Sequence, residues 1–165
     1  MVRFLQINKD DIIEELLESS TIRVIDYIPY HPYDEAFLEL EAYYEKTKLK
    51  GFSSRIADIL LKLKYYTPSY VQLAEETREI ECSTSQYPVA QDISDLAPEQ
   101  FVAVIEDIVV HDYTTLNILL LEHNVLIAVS GGFSVAIYGD VKEELLTTIK
   151  ELVQQEGLFL KTVKV

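Results

Sequence analysis

The sequence predicts a single α+β domain over residues 1–165, with a mixed or mainly antiparallel sheet, a C-terminal three-strand meander and helices packed on one face. Three observations lead to this prediction. Several segments repeat apolar residues at helical spacing, three β-type runs follow one another with very short links, and no repeat or low-complexity linker divides the chain. With 165 residues, 48% of them hydrophobic, the chain can bury a sizeable core.

The N-terminal part predicts a strand, a helix and a second strand. "VRFLQI" and "TIRVIDYI" are rich in apolar and β-branched residues, which is typical of strands. Between them, "NKDDIIEELLESS" carries one helical stripe, which consists of Ile12, Ile13, Leu16 and Leu17. Asn8 or Asp10 can cap this helix, because a short polar side chain accepts a hydrogen bond from a free N–H of the first turn.

Two further helices are predicted after the loop "PYHP", whose prolines fit poorly in a helix. Asp34 opens the first, "DEAFLELEAYYEKT", whose apolar face consists of Phe37, Leu40 and Tyr44, with Leu38 as a further candidate. We expect Gly51 to end the link to the second helix, "RIADILLKLKYY", and Ser53 or Ser54 to cap it. The apolar stripe of this second helix consists of Ile56, Ile59, Leu60 and Leu63.

The segment 67–96 leaves two interpretations open. It predicts either a helix capped by Thr67 with Pro68 at its first position, or a strand followed by an acidic loop. From Pro98 onward, "PEQFVAVIEDIVVHD" predicts a helix, although its valines also suit a strand. The helical stripe there consists of Phe101, Val104, Ile105 and Ile108.

The C-terminal part predicts three antiparallel strands, a helix and a last strand. The runs "TTLNILLLEH", "VLIAVS" and "FSVAIYG" have links too short for a parallel crossover. Asp140 and Glu143 have the spacing of a capping box before "VKEELLTTIKELVQQE", and Gly157 is suited to a left-handed C-cap. The helix carries Val141, Leu145, Ile149 and Val153 on one face, and "LFLKTVKV" alternates as a strand does.

Gly131 and Gly132 lie between two of these strands, and they predict a tight turn. A phosphate-binding loop would place its glycines directly before a helix, with a lysine and a hydroxyl residue after them. Here another strand follows, "FSVAIYG". Ser130 also lacks the preceding glycine and following helix of a hydrolase nucleophile elbow. The sequence therefore predicts no phosphate or acyl-transfer site at this turn.

The net charge of −14 favours a basic partner and disfavours nucleic acid, because the long-range field repels phosphates. The charge is unevenly distributed. Residues 46–64 contain six bases and one acid, whereas residues 65–141 contain one base and twelve acids. We therefore predict no nucleic-acid partner.

The sequence also predicts a soluble, cytoplasmic protein with no membrane partner. Cys82 is the only cysteine, so no intrachain disulfide can form. The apolar run in "MVRFLQINKDD" is too short for a secretory signal, and no segment approaches the roughly 18 apolar residues of a membrane helix. We expect Cys82, which has Glu79 and Glu81 beside it, to be a structural thiol rather than a nucleophile.

Reactive side chains are dispersed, and the sequence predicts no catalytic residue, no cofactor and no metal site. The histidines, His31, His111 and His123, show no ligand spacing of the H-E-x-x-H kind. Adjacent acids such as Glu75 and Glu76 do not face each other on a helix, which favours a solvated surface.

Tyrosine is the compositional anomaly: the chain has eleven tyrosines and no tryptophan. Tyrosine is amphipathic and stiff, and it is enriched at protein interfaces. Two adjacent pairs occur in predicted helices, where both rings of a pair cannot point inward. The predicted binding residues are Tyr30, Tyr33, Tyr43, Tyr44, Tyr65, Tyr66 and Tyr70.

The sequence therefore favours a non-catalytic protein-binding module, of an inhibitor, immunity or regulatory kind, with an acidic and tyrosine-rich surface. The first alternative is a small enzyme or ligand-binding domain with a site assembled from His31, Asp34 and His111. The second alternative is a structural homo-oligomer.

Overall fold

The fold is an antiparallel sheet with helices on both faces, as a computed structural model describes it for residues 8–30, 35–74, 87 and 91–164. The predicted α+β class is confirmed. The described elements are α1 (Lys9–Leu17), β1 (Thr21–Asp26), α2 (Ala36–Thr47), α3 (Leu49–Tyr66), β2 (Ser69–Leu73), α4 (Pro98–His111), β3 (Leu116–Leu120), β4 (Val125–Val129), β5 (Val135–Tyr138), α5 (Glu143–Gln155) and β6 (Phe159–Lys164). None of these helices is long and apolar enough to cross a membrane.

The sheet has six strands in the order β2-β3-β4-β5-β1-β6, and every neighbouring pair is antiparallel. The predicted meander is confirmed as β3, β4 and β5, since their short links allow only hairpins. After β5 the chain runs through α5, and β6 then pairs with β1 along six residues. The strand predicted for "VRFLQI" lies outside the described residues.

The main core lies between one face of the sheet and helices α3, α4 and α5. Alternate residues of the central strands point into it; in β3 these are Leu116, Ile118 and Leu120. The predicted stripes of all three helices are buried there, including Phe101, Ile105 and Ile108 of α4, which are fully buried. Burying one such side chain contributes about 1.5–3 kcal/mol.

Helix α1 packs on the opposite face of the sheet, whereas the sequence places all helices on one face. Its buried residues Ile13 and Leu16 contact Leu119 and Leu126, which point away from the main core. The strands β3 and β4 are apolar on both faces, so a second helix is needed to cover the outer one. The predicted cap is confirmed, because the side chain of Asn8 accepts a hydrogen bond from the N–H of Asp10.

Two predicted helix starts are wrong. Helix α3 begins at Leu49, before the expected caps, and Gly51 lies inside it. The hydroxyl of Ser53 donates to the carbonyl of Lys50 at 2.7 Å, so it forms a hydrogen bond within the helix instead of capping it. Helix α5 begins at Glu143, and the carboxylate of Asp140 accepts a hydrogen bond from the ammonium of Lys142 at 2.7 Å instead of capping.

The open segment 67–96 contains strand β2, which confirms the strand interpretation for residues 69–73. Thr67 ends α3, since its N–H donates to the carbonyl of Leu63 at 3.2 Å. The acidic loop and Cys82 lie outside the described residues, as do 75–86 and 88–90 in general.

The Gly131-Gly132 turn, predicted from the sequence, is confirmed as the hairpin between β4 and β5. Gly132 has a φ of 72°, a backbone conformation that favours glycine. Its N–H donates to the carbonyl of Val109 at 2.9 Å, so the turn rests on the last residues of α4. Gly131 lies so close to Asp112 that any Cβ would overlap that side chain. The glycine pair thus joins the sheet to α4.

We expect Gly131→Ala to lower the free energy of unfolding by about 1–3 kcal/mol through overlap with Asp112, and Gly132→Ala to lower it by about 1–2 kcal/mol through its positive φ. Gly51→Ala is the matched control. Its Cβ would contact nothing within 4 Å, and alanine in α3 should add about 0.4–1 kcal/mol. Urea denaturation measures all three, and a neutral Gly131→Ala would contradict the close packing.

Candidate binding site

Helix α2 is held on the protein by a few partly buried side chains, because none of its residues is fully buried. Its main ring contact is a stack of Tyr44 on Tyr27, which follows β1. The two ring centroids lie 4.7 Å apart with an angle of 23° between the planes. This geometry is a favourable offset arrangement for two aromatic rings.

Phe133, at the tip of the β4–β5 hairpin, completes an aromatic cluster. Its ring lies 4.5 Å from that of Tyr27 and 4.9 Å from that of Phe52, which is in the first turns of α3. We call Tyr27, Tyr44, Phe52 and Phe133 the aromatic cluster. It brings together the end of β1, the hairpin tip, α2 and α3, and each aromatic pair adds about 0.5–1.5 kcal/mol beyond its buried area.

A pocket of about 280 Å³ lies beside the cluster, between α2 and the hairpin. We call it the hairpin pocket. Two rings, two glutamates and the glycine turn contribute to its wall, whose residues are Asp26, Tyr27, Glu41, Glu45, Gly131, Gly132, Phe133 and Ser134. The pocket therefore combines aromatic faces with carboxylates.

The three carboxylates of the hairpin pocket differ in their partners. Asp26 is buried and already engaged: its carboxylate accepts a hydrogen bond from the ammonium of Lys161 at 2.7 Å and another from the N–H of Tyr27 at 2.7 Å. Glu41 and Glu45 form no hydrogen bond or ion pair within the described part of the chain. These two glutamates are thus available to a ligand.

The pKa of the Tyr27 hydroxyl is affected by the negative charges around this pocket. The hydroxyl is buried and has no hydrogen-bond partner among the described residues. Its burial, together with the nearby charges of Asp26, Glu41 and Glu45, raises the pKa of Tyr27 to about 12. Both effects disfavour the charged phenolate, so the hydroxyl lies among negative charges and is partly desolvated.

On its other side the aromatic cluster borders a basic pocket of about 240 Å³. This second pocket is lined by Tyr27, Tyr44, Lys48, Gly51, Phe52, Arg55, Phe133 and Leu158. Lys48 and Arg55 form no ion pair within the described residues. Among the described residues, the unpaired charges on the hairpin side of the rings are therefore negative, from Glu41 and Glu45. Those on the α3 side are positive, from Lys48 and Arg55.

The predicted tyrosines fall into separate groups. Tyr43 is 54% exposed on α2, and its ring centroid lies 6.0 Å from that of Tyr44; Tyr30 is 76% exposed. Tyr65 and Tyr66 are exposed at the far end of α3, a helix about 27 Å long by its 18 residues. The structure thus brings Tyr43 and Tyr44 into one site and leaves Tyr65 and Tyr66 apart from it.

Tyr70 and Tyr33 complete the predicted set. Tyr70 is partly buried on the α1 face of the sheet, and its hydroxyl donates to the side-chain oxygen of Gln72 at 3.1 Å. Tyr33 lies outside the described residues. Sequence reasoning missed Tyr27 and Phe133 as site residues, because only the folded sheet brings the end of β1 to the hairpin tip.

The alternative site predicted around His111 is only partly described, because His31 and Asp34 lie outside the described residues. His111 lines a cavity of about 560 Å³ between the α2–α3 junction and the end of α4. Its Nδ1 lies 2.9 Å from a carboxylate oxygen of Asp107. Among the described residues, no three His, Cys, Asp or Glu side chains are placed to hold a metal ion.

Among known proteins, no family model, no curated protein and no solved structure matches this chain. The site itself places carboxylates beside aromatic rings on one side and cations beside the same rings on the other.

We expect the stability of the protein to fall as Tyr27 becomes ionised. Because folding raises the pKa of Tyr27 from 10.0 to about 12, the folded state retains a proton that the unfolded state releases. This stabilisation is fully present below about pH 10 and is lost as the pH rises toward about 12. Urea denaturation at increasing pH should show a steeper loss in the wild type than in Tyr27→Phe.

The double variant Glu41→Gln/Glu45→Gln should make this loss smaller and complete it at a lower pH, since both glutamates raise the pKa of Tyr27 in the folded state and the onset near pH 10 belongs to the unfolded chain. Parallel pH profiles for the wild type and Tyr27→Phe would contradict the raised pKa of the Tyr27 hydroxyl.

Proposed function

We propose that this protein is a non-catalytic protein-binding module, of an inhibitor, immunity or regulatory kind, that binds a basic partner. The observation that carries this proposal is that Glu41 and Glu45, beside the aromatic cluster of a chain with net charge −14, have no ion-pair partner among the residues that the structure describes. Unpaired like charges repel each other in the free protein, and a cationic partner would relieve that repulsion.

Helix α2 also exposes apolar side chains that suit an interface. Leu38 is 66% exposed, Tyr43 54% and Leu40 40%. Together with Glu41 and Glu45 we call these exposed groups the α2 face. By helical spacing Leu38 lies on the side of Glu41 and Glu45, whereas Leu40 and Tyr43 lie on another side of the same exposed helix. A helix that exposes apolar and aromatic side chains as well as charges of one sign has the groups expected for a hydrophobic anchor and a polar rim.

In this mechanism the two parts of the surface act at different stages of binding. The negative field attracts a basic partner and accelerates association, an effect that salt screens. Tyr43 and its apolar neighbours then exclude water from the contact, which slows dissociation. We place this activity in the cytoplasm, because a chain with a single cysteine suits a reducing compartment.

A second candidate function, a small enzyme or ligand-binding domain, is favoured by one observation at His111. Asp107 holds its Nδ1 at 2.9 Å, as a carboxylate orients the imidazole of a general base, and the ring lines a cavity of about 560 Å³. The hydroxyl of Thr47, which lines the same cavity, donates to the carbonyl of Tyr43. The binding-module proposal is preferred because the α2 face supplies several groups that act together.

We expect selection from a random peptide library to yield ligands enriched in arginine or lysine. Tyr43→Ala should weaken them by about tenfold, which corresponds to about 1.4 kcal/mol for an aromatic anchor. Tyr65→Ala is the matched control, because that ring is 77% exposed at the far end of α3. Surface plasmon resonance at low and high salt would measure both rates, and salt should reduce chiefly the association rate.

Three outcomes would contradict the proposal: no enriched peptides, peptides without basic residues, or affinities that Tyr43→Ala leaves unchanged. Ligands that are lost in His111→Ala but not in Tyr43→Ala would support the second candidate instead.

A further inference from the structure

We infer that the hairpin pocket receives the guanidinium group of an arginine side chain, and this inference rests on the proposed binding of a basic partner at the α2 face. The proposed function attributes the recognition of positive charge to a surface, and this inference attributes it to one cavity in that surface. The pocket holds about 280 Å³, and its wall includes two rings and two glutamates, Glu41 and Glu45.

The rings supply a surface on which a flat cation can stack. Tyr27 and Phe133 both line the hairpin pocket, with centroids 4.5 Å apart and planes tilted by 46°. The face of an aromatic ring carries negative charge density, and a cation within about 6 Å of the centroid is attracted to it. Gly131 and Gly132 form part of the pocket wall, and because glycine has no side chain, this part of the pocket stays open.

The glutamates supply the acceptors. Glu41 and Glu45 are four residues apart on α2, so their side chains are neighbours on one side of the helix. Neither forms an ion pair within the described residues. The carboxylate of Asp26 already accepts a hydrogen bond from Lys161, so Asp26 contributes negative charge but not the main acceptor. A guanidinium presents several N–H donors in one plane and can bond two carboxylates at once.

The hydroxyl of Tyr27 is not among the groups inferred to bind the cation. Its oxygen is buried and makes no hydrogen bond in the described part of the structure. An oxygen with almost no accessible surface cannot be reached by a ligand in the pocket, so the inference rests on the ring faces and on the two glutamates.

The opposite side of the cluster explains why the cation is confined to the hairpin pocket. Lys48 and Arg55 line the second pocket, and both would repel a cation placed against the α3 side of the same rings. Arginine is preferred to lysine because a planar guanidinium stacks on rings and forks between carboxylates, whereas an ammonium is a compact and strongly hydrated charge.

The test is a titration of the full chain with N-acetyl-arginine-N-methylamide, followed by NMR of backbone amides. The signals of Gly131, Gly132 and Ser134 should shift with a dissociation constant on the order of millimolar, as one side chain in a small pocket allows. The citrulline analogue, which has the same shape without the charge, should bind at least about tenfold more weakly.

Three variants assign this binding to its residues. Glu41→Gln/Glu45→Gln should weaken the arginine probe by about tenfold, since hydrogen bonds to charged groups are worth at least that much. Glu14→Gln/Glu15→Gln changes the net charge equally on exposed residues of α1 and should have little effect. Lys48→Gln/Arg55→Gln should leave the affinity unchanged or raise it.

The inference is overturned if citrulline binds as well as arginine, if the shifts are unaffected by Glu41→Gln/Glu45→Gln, or if the α1 variant weakens binding equally. The lysine analogue should bind more weakly than arginine, and equal binding would refute guanidinium recognition. Free arginine should bind no better than the blocked probe, because the site is inferred to take a side chain; much tighter binding would show a free amino-acid site instead.

Failure of this inference can be told apart from failure of the proposed function. If the selected peptides bind through Tyr43 while the arginine probe does not reach the hairpin, the pocket assignment is wrong and the binding module stands. If the probe binds at the hairpin and no peptide is selected, the guanidinium pocket stands and the protein-binding role is wrong.

Discussion

The stack of Tyr44 on Tyr27 is the contact on which the arrangement of the candidate site depends. Most helices in proteins are stable because they bury an apolar face, and α2 buries no residue fully. Its place beside the sheet depends on partly buried side chains and on its direct connection to α3, which begins at Leu49. The stack, with centroids 4.7 Å apart, ties α2 to the end of β1 and thereby helps to place Glu41 and Glu45 beside the hairpin.

The aromatic cluster also separates charges of opposite sign. Glutamates lie on its hairpin side and cations on its α3 side, and the rings between them exclude water. The raised pKa of Tyr27 follows from this arrangement, since burial and the neighbouring carboxylates both disfavour a phenolate. The overall charge of −14 then provides long-range attraction, whereas the pocket provides orientation.

The sequence predicts the core better than the site, for physical reasons. The meander and the stripes of α4 and α5 follow from short links and apolar periodicity, which are local signals. The starts of α3 and α5 were predicted wrongly because Gly51 and Asp140 match local preferences that the helices do not use. The abundance of tyrosine predicts Tyr43 and Tyr44 as site residues. The contact of Tyr27 with Phe133 joins segments that are distant in the sequence, so it exists only after the sheet has formed.

Native-state hydrogen exchange of the α2 amides in Tyr44→Ala tests the central claim most directly. Alanine is the best helix former, so any loss of protection would come from the missing ring and not from helix propensity. We predict that α2 loses at least about tenfold of its protection while α3, α4 and α5 keep theirs, whereas Tyr43→Ala, which removes an exposed ring, leaves α2 protected. Unchanged protection of α2 in Tyr44→Ala would contradict the account.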